Sequence, residues 1–300
     1  MTESDATSVR PHARPFDTLL ANIALTSDQL VDGGRSHGNV RSTLNRNYYG
    51  VNSETANSTL VGAWGKDTTV RPPRNIDVLF ILPYTMYRRF EKRLGNKQAQ
   101  VLLEVKDVLQ RTYPTTTMRA DGQAVVVSFG SNAVEVVPAF LLESTQYWIC
   151  DTNRGGTFKT TDPAAETAAV DASDVTTGGN TRNLIRMMKT WQRVCAVPIK
   201  SFILELLVIQ FLNSYEDKSN SSEHYDRMIR DYFAFLLTKS ARSYVVVPGT
   251  GELIWLNSGE WNSRAETAHA QAVTACESKS EQDNTGREWQ KMFGDDMPIG

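Results

Sequence analysis

Residues 60–83 read LVGAWGKDTTVRPPRNIDVLFILP, and the reading of this stretch decides the fold. A small-residue turn at Gly62 and Ala63 leads into a basic, proline-bearing connector (Lys66, Arg71, Pro72, Pro73, Arg74), and a strand follows over residues 76–82. Side chains alternate along a strand, so Asn75 and Asp77 project from one face while Ile76, Val78 and Phe80 project from the other. A carboxylate at the mouth of an otherwise apolar strand is costly to bury alone. Holding a hard cation such as Mg²⁺ is one use that offsets the cost.

Around this stretch lie 300 residues, 40% of them hydrophobic, enough for one large or two smaller domains with a substantial core. The formal net charge of -2 supplies no global basic field, which argues against constitutive binding to long nucleic acid. Cys150, Cys195 and Cys276 are far apart, odd in number and outside any CxxC spacing. That pattern reads as free thiols in a reducing cytosol, not as a disulfide frame or zinc ribbon. The first 15 residues are polar and read as a flexible tail, no run approaches a membrane span, and a soluble, cytoplasmic protein is expected.

Along the chain, Leu19, Leu20, Ile23, Ala24 and Leu30 recur at helical spacing through about residue 31, and Asp32-Gly33-Gly34 reads as an interruption before a second helix over 40–48. Helices are expected over 87–94 and 98–111. Three short strands follow at 116–120, 124–129 and 133–137, joined by Asp121-Gly122 and Gly130-Ser131-Asn132, which are hairpin chemistry. Glu135 is a single charge inside the apolar run VEVVPAF, which suits either a salt-bridged core glutamate or a ligand. Residues 151–180 read as an irregular crossing segment, with one short helix started by the Asp162 cap and Pro163. Helices then dominate to Gly294, and 199–215 is apolar nearly all round, as befits the centre of a bundle. The division expected is a sheet lobe over 16–160, a helical lobe over 161–294 and a mobile tail over 295–300.

At GAW…NID the chain resembles the polymerase-β-like nucleotidyltransferases, whose signature is Gly-Ser, then Asp-x-Asp on the next strand, then a third acid on a later strand. It is more closely similar to the bacterial CD-NTases, relatives of cyclic GMP-AMP synthase that make cyclic di- and trinucleotide signals in phage defence. Phrases such as WGKDT, RPPRNID, VPAF and MMKTW look most like the subgroup that includes cyclic trinucleotide synthases. The resemblance implies an α/β (α+β) fold, with a mixed, mainly antiparallel sheet facing a helical lobe. It makes Asn75, Asp77 and Glu135 the catalytic and metal positions for two Mg²⁺ or Mn²⁺ ions. It gives nucleoside triphosphate binding to Gly62 and Ala63, to Lys189 and Ser201 at the phosphates, and to Phe202 at the base, with Lys200 an alternative phosphate partner. ATP is the expected substrate, with GTP possible, and a downstream cyclic-nucleotide effector is the implied partner.

Three positions depart from the pattern. Ala63 stands where the family has Ser, and Asn75 where it has the first Asp; Glu135 stands where Asp is usual. The first two are either a natural degeneration or a deliberate alteration that blocks turnover, and the intact surroundings favour the second. Other readings stay open: a natural nucleotide-binding pseudoenzyme, or a transferase acting on another acceptor. The resemblance also implies that an E1/E2-like conjugation enzyme could use the Gly300 carboxylate, which requires a free tail after Gly294.

Overall fold

Strand β2 (Asn75–Ile81) is the element to which the rest of the sheet is referred. The computed structural model describes residues 14–73, 75–143, 145–239, 241–277 and 282–299. The expected flexible tail lies almost wholly outside these residues, as does Gly300. The short β1 (Ser58–Leu60) runs antiparallel to β2, and the one-turn helix α3 (Gly62–Gly65) lies between them in the chain. On its other side β2 pairs with β5 (Ala133–Glu143) in parallel, setting Asp77 opposite Glu135 and Asn75 opposite Ala133. β3 (Thr117–Asp121) and β4 (Ala124–Ser128) continue the sheet antiparallel. β6 (Gln146–Asp151) and β7 (Thr157–Thr161) extend it from the far end of β5. The sheet is therefore mixed and mainly antiparallel.

The alternation read in the sequence holds: Ile76, Val78 and Phe80 are fully buried, whereas Asn75 is exposed and Asp77 half-buried. Their apolar face packs on helix α2 (Ser27–Tyr49) and on α5 (Lys97–Thr112), with α4 (Tyr84–Glu91) beside them, in one hydrophobic core. A second core is helical. It is built from α1 (Pro15–Ile23), α6 (Pro163–Thr176), α7 (Asn180–Val194), α8 (Ser201–Ser214), α9 (Tyr225–Leu237), α10 (Asn262–Glu277) and α11 (Gln282–Phe293), with the hairpin β8 (Tyr244–Val246) and β9 (Leu253–Trp255) against it. Ile203, Leu204, Leu207, Val208 and Leu212 are all buried, so α8 sits at the centre as its composition demands.

Several expectations are corrected. The Gly33-Gly34 pair does not interrupt a helix, because α2 runs straight through it. A Cβ on Gly33 would lie 2.5 Å from the Trp64 ring, so glycine serves close packing there. The break comes earlier, where Thr26 and Gln29 form a reciprocal capping box. Helix α1 falls within the stretch 16–160 expected to make the sheet lobe, yet it packs in the helical core, its Phe16 ring edge-on to Tyr225 and Trp289. The crossing segment contributes a full sheet strand, β7, before the Asp162-capped α6. Residues 294–297 are not a free tail. Met297 is fully buried, Gln290 bonds its carbonyl, and Asp296 receives both an Asn22 amide and the Arg193 guanidinium. An apolar Met three residues past Gly294 gave the segment a place in the core that its neighbouring Asp and Pro residues concealed.

Candidate active site

The cleft between the two cores has a volume of about 410 Å³, and Gly62, Ala63, Asn75, Asp77, Lys189, Ser201 and Phe202 all line it. Glu135 joins them through the sheet: it stands opposite Asp77 in register, and the Asn75 amide donates to its Oε1. One strand pair, the starts of α3 and α8 and the body of α7 thus gather every residue singled out in the sequence, save Lys200, which is exposed at the cap of α8 and does not line the cleft.

Gly62 is required where it is. Its φ is +59°, and a Cβ would come within 2.2 Å of Asp77 Oδ2. The turn and the carboxylate are pressed together, and the Val61 amide donates to the Asp77 carbonyl at 3.0 Å. Burial, followed by the charge and hydrogen bond of Glu135, pushes the Asp77 carboxyl up to about 7. Two carboxyls sharing a partly desolvated spot repel each other, and a cation relieves that repulsion. The donor set fits one divalent ion at Asp77 and Glu135. At position 75 only a neutral amide oxygen is available, and among the described residues no three His, Cys, Asp or Glu side chains converge as a metal cluster.

The opposite wall was only half legible in the sequence. Lys189 is buried and its ammonium makes three bonds, to Thr68 Oγ1 at 2.7 Å, the Thr68 carbonyl at 3.2 Å and Glu205 Oε1 at 2.5 Å. Glu205, also buried, takes Lys66 on its other oxygen at 3.1 Å, and Lys66 reaches Glu166 at 3.0 Å. The Lys66 ammonium lies 4.6 Å from the centre of the Phe202 ring and covers one of its faces. Burial disfavours the Lys66 charge, but Glu205 and Glu166 outweigh it and raise its pKa. For Lys189 burial dominates over Glu205, and its pKa falls below the ordinary lysine value. Burial opposes ionisation of Glu205 too, yet Lys189 and Lys66 overcome it and hold that carboxyl below its usual range. Ser201 donates to Gln192 Oε1 at 2.7 Å. Glu205, Glu166, Thr68 and Gln192 were missed. A lone acid in the apolar run SFILELLVIQFL was the available signal for Glu205, the same one that marked Glu135.

Comparison with known proteins agrees with this fold. The profile of the Second Messenger Oligonucleotide or Dinucleotide Synthetase domain matches residues 11–173, more than half of the chain. A curated relative, a probable cyclic nucleotide synthase of Bacillus cereus, is 24% identical over 179 residues, covering 55% of this chain and 51% of the relative; the chain thus aligns to about half of that protein's length. Among solved structures, Escherichia coli CdnC with ATP superposes with a TM-score of 0.71 at 18% identity, covering 94% of this chain and 98% of that one. Bradyrhizobium diazoefficiens CdnG in complex with GTP gives 0.69 at 12%, covering 95% and 96%. Vibrio cholerae DncV, a cyclic AMP-GMP synthase in complex with a linear intermediate, gives 0.65 at 15%, covering 80% and 69%. These likenesses establish the nucleotidyltransferase fold, and the profile match establishes the family: the chain belongs to the Second Messenger Oligonucleotide or Dinucleotide Synthetases, the bacterial CD-NTases.

Proposed function

We propose that the cleft binds a nucleoside triphosphate together with Mg²⁺ or Mn²⁺, and that the fold is built to join such nucleotides into a cyclic di- or trinucleotide messenger for antiphage signalling through a downstream effector. The observation that carries the reading is the register of Asp77 opposite Glu135, with the Gly62 turn pressed on Asp77 at the cleft's mouth. A bound divalent ion would supply charge neutralisation for the attacking hydroxyl and the leaving pyrophosphate. The protein's part is to hold the ion through Asp77 and Glu135, to bring the phosphates to the Gly62–Ala63 backbone and toward Lys189 and Ser201, and to receive a base on the open face of Phe202. ATP is the substrate we favour, with GTP second, in keeping with the ATP and GTP complexes of CdnC and CdnG. Three free thiols support a reducing, cytoplasmic setting.

Turnover by this chain is impaired on the same reading. Asn75 removes one negative charge, and its amide is engaged with Glu135, so it stabilises a two-carboxylate site that binds without reacting. That bond is also what favours a second reading, a natural nucleotide-binding pseudoenzyme. Calorimetry with ATP and Mg²⁺ tests the shared core of both: saturable binding that Asp77→Ala abolishes is expected, and absence of binding by the unaltered chain at millimolar ATP refutes it.

A further inference from the structure

Residues 66–68 form a strap that passes from the Gly62 turn across to the helical lobe, and helix α7 holds it by consecutive carbonyls. Arg182 Nε donates to the Lys66 carbonyl at 3.0 Å, Arg186 Nη2 to the Asp67 carbonyl at 2.7 Å, and Lys189 Nζ to the Thr68 carbonyl at 3.2 Å. Positions 182, 186 and 189 recur at helical spacing and share one face of α7. Side chains along the strap part company. Lys66 and Thr68 turn inward to Glu205, whereas Asp67 turns outward and meets Arg186 again through Oδ1 at 2.9 Å.

Asp67 is also the strained residue. Its φ is +52°, in the left-handed region that costs a non-glycine residue about 1 kcal/mol. This reversal lets the Thr68 amide donate back to the Ala63 carbonyl at 2.9 Å, closing the strap onto the turn that faces Asp77. Arg186 holds both polar ends of the strained residue at once. It does not line the cleft, so it does not meet a nucleotide there directly.

We infer that Arg186 is a positioning residue for triphosphate binding: by clamping the left-handed Asp67 it fixes the strap, and through the strap the Gly62–Ala63 turn that receives the phosphates. The inference rests on the proposed nucleotide site and adds a residue to it. An ordinary surface ion pair stabilises a fold by about 1 kcal/mol or less and leaves ligand affinity alone. A clamp on the phosphate turn acts on affinity, and acts selectively on ligands with a full triphosphate.

The test is calorimetric titration of ATP and of AMP, each with Mg²⁺, into the unaltered chain, Arg186→Gln, Arg186→Lys and Asp171→Asn. The last removes an exposed ion pair of Arg182 on the same helix and leaves all three carbonyl bonds in place. We expect Arg186→Gln to weaken ATP about tenfold and AMP by less than about twofold, Arg186→Lys to recover part of the loss, and Asp171→Asn to match the unaltered chain, effects on the scale of one to two hydrogen bonds. Equal losses for ATP and AMP, or an Asp171→Asn loss as large as that of Arg186→Gln, would show a merely structural role and overturn the inference. So would unchanged ATP affinity in Arg186→Gln. If Arg186→Gln does not fold, Arg186→Lys decides by the same ATP-to-AMP ratio. Failure of the unaltered chain to bind ATP would overturn the reading of the cleft, and this inference with it.

Discussion

Replacing Glu205 by Gln removes the charge of the one carboxylate, among the described residues, that touches both buried lysines of the cleft. Glu205 is 3% exposed and accepts from Lys189, Lys66 and Thr68. A glutamine keeps one acceptor and turns two N–H donors toward whichever lysine the oxygen does not face. The cheaper arrangement leaves the oxygen on Lys189, because Lys66 retains Glu166 at 3.0 Å. Breaking a buried pair from one side costs about 3–5 kcal/mol, and the surviving Glu166 contact puts this case near the lower figure, about 3 kcal/mol. At roughly 2–4 °C per kcal/mol in a chain of this size, the melting temperature should fall by about 6–12 °C. The Glu205 carboxyl titrates below its unfolded value of 4.5, so its stabilising contribution is complete above that value and is lost as the pH falls through the lower, folded one. The gap between the two proteins should therefore be full at pH 7 and close in strong acid. Thermal unfolding by circular dichroism from pH 3 to pH 8 measures it. A difference under about 1 kcal/mol at pH 7, or one that widens in acid, would refute the assignment of Glu205 as the counter-ion of both lysines.

Other perturbations address the metal side. Asp77→Asn should stabilise the protein in the absence of divalent ions, by an amount that grows at up to about 1.4 kcal/mol per pH unit as pH rises from 3.8 to about 7 and then levels off, because over that range the carboxyl ionises in the unfolded chain while the fold still holds its proton; a substitution that destabilises throughout that range contradicts it. In the unaltered chain, Mn²⁺ affinity measured by electron paramagnetic resonance should climb through pH 7 as protons leave Asp77, and a flat profile between pH 6 and pH 8 would count against Asp77 as a ligand. Gly62→Ala should cost about 1–2 kcal/mol from the left-handed backbone alone and weaken Mn²⁺ binding besides, since the new methyl displaces the Asp77 carboxylate; unchanged Mn²⁺ affinity would show the carboxylate elsewhere.

How much of this was legible in the sequence depended on whether the governing interaction was local. Strand β2 was readable because alternation along Asn75–Ile81 is a property of neighbouring residues, and Glu135 because its charge interrupts a run of valines. The Thr26–Gln29 capping box was equally local and was passed over in favour of the glycine pair, whose reason for being glycine is Trp64, 31 positions along the chain. Strand β7 escaped because TFKTT lies at the sheet's end with a polar face, and short polar strands carry little pattern. The Lys66–Glu205 pair spans 139 positions, and nothing near either residue names the other. The same holds for Asp296, whose partners are Asn22 and Arg193. Lys189 was assigned to a phosphate from the resemblance; the structure adds that three protein acceptors already hold it, so a triphosphate must compete for one of them.

The central claim is that this cleft is a nucleotidyl-transfer site lacking one anionic metal ligand. The most direct measurement is product formation after Asn75→Asp and Ala63→Ser are introduced together, with labelled ATP and GTP and Mg²⁺, followed by phosphatase treatment and chromatography. The account predicts new phosphatase-resistant products that vanish on omitting Mg²⁺ or on adding Asp77→Ala, against little or none from the unaltered chain. Absence of any nucleotide product from the doubly altered protein, while it still binds ATP, would contradict it.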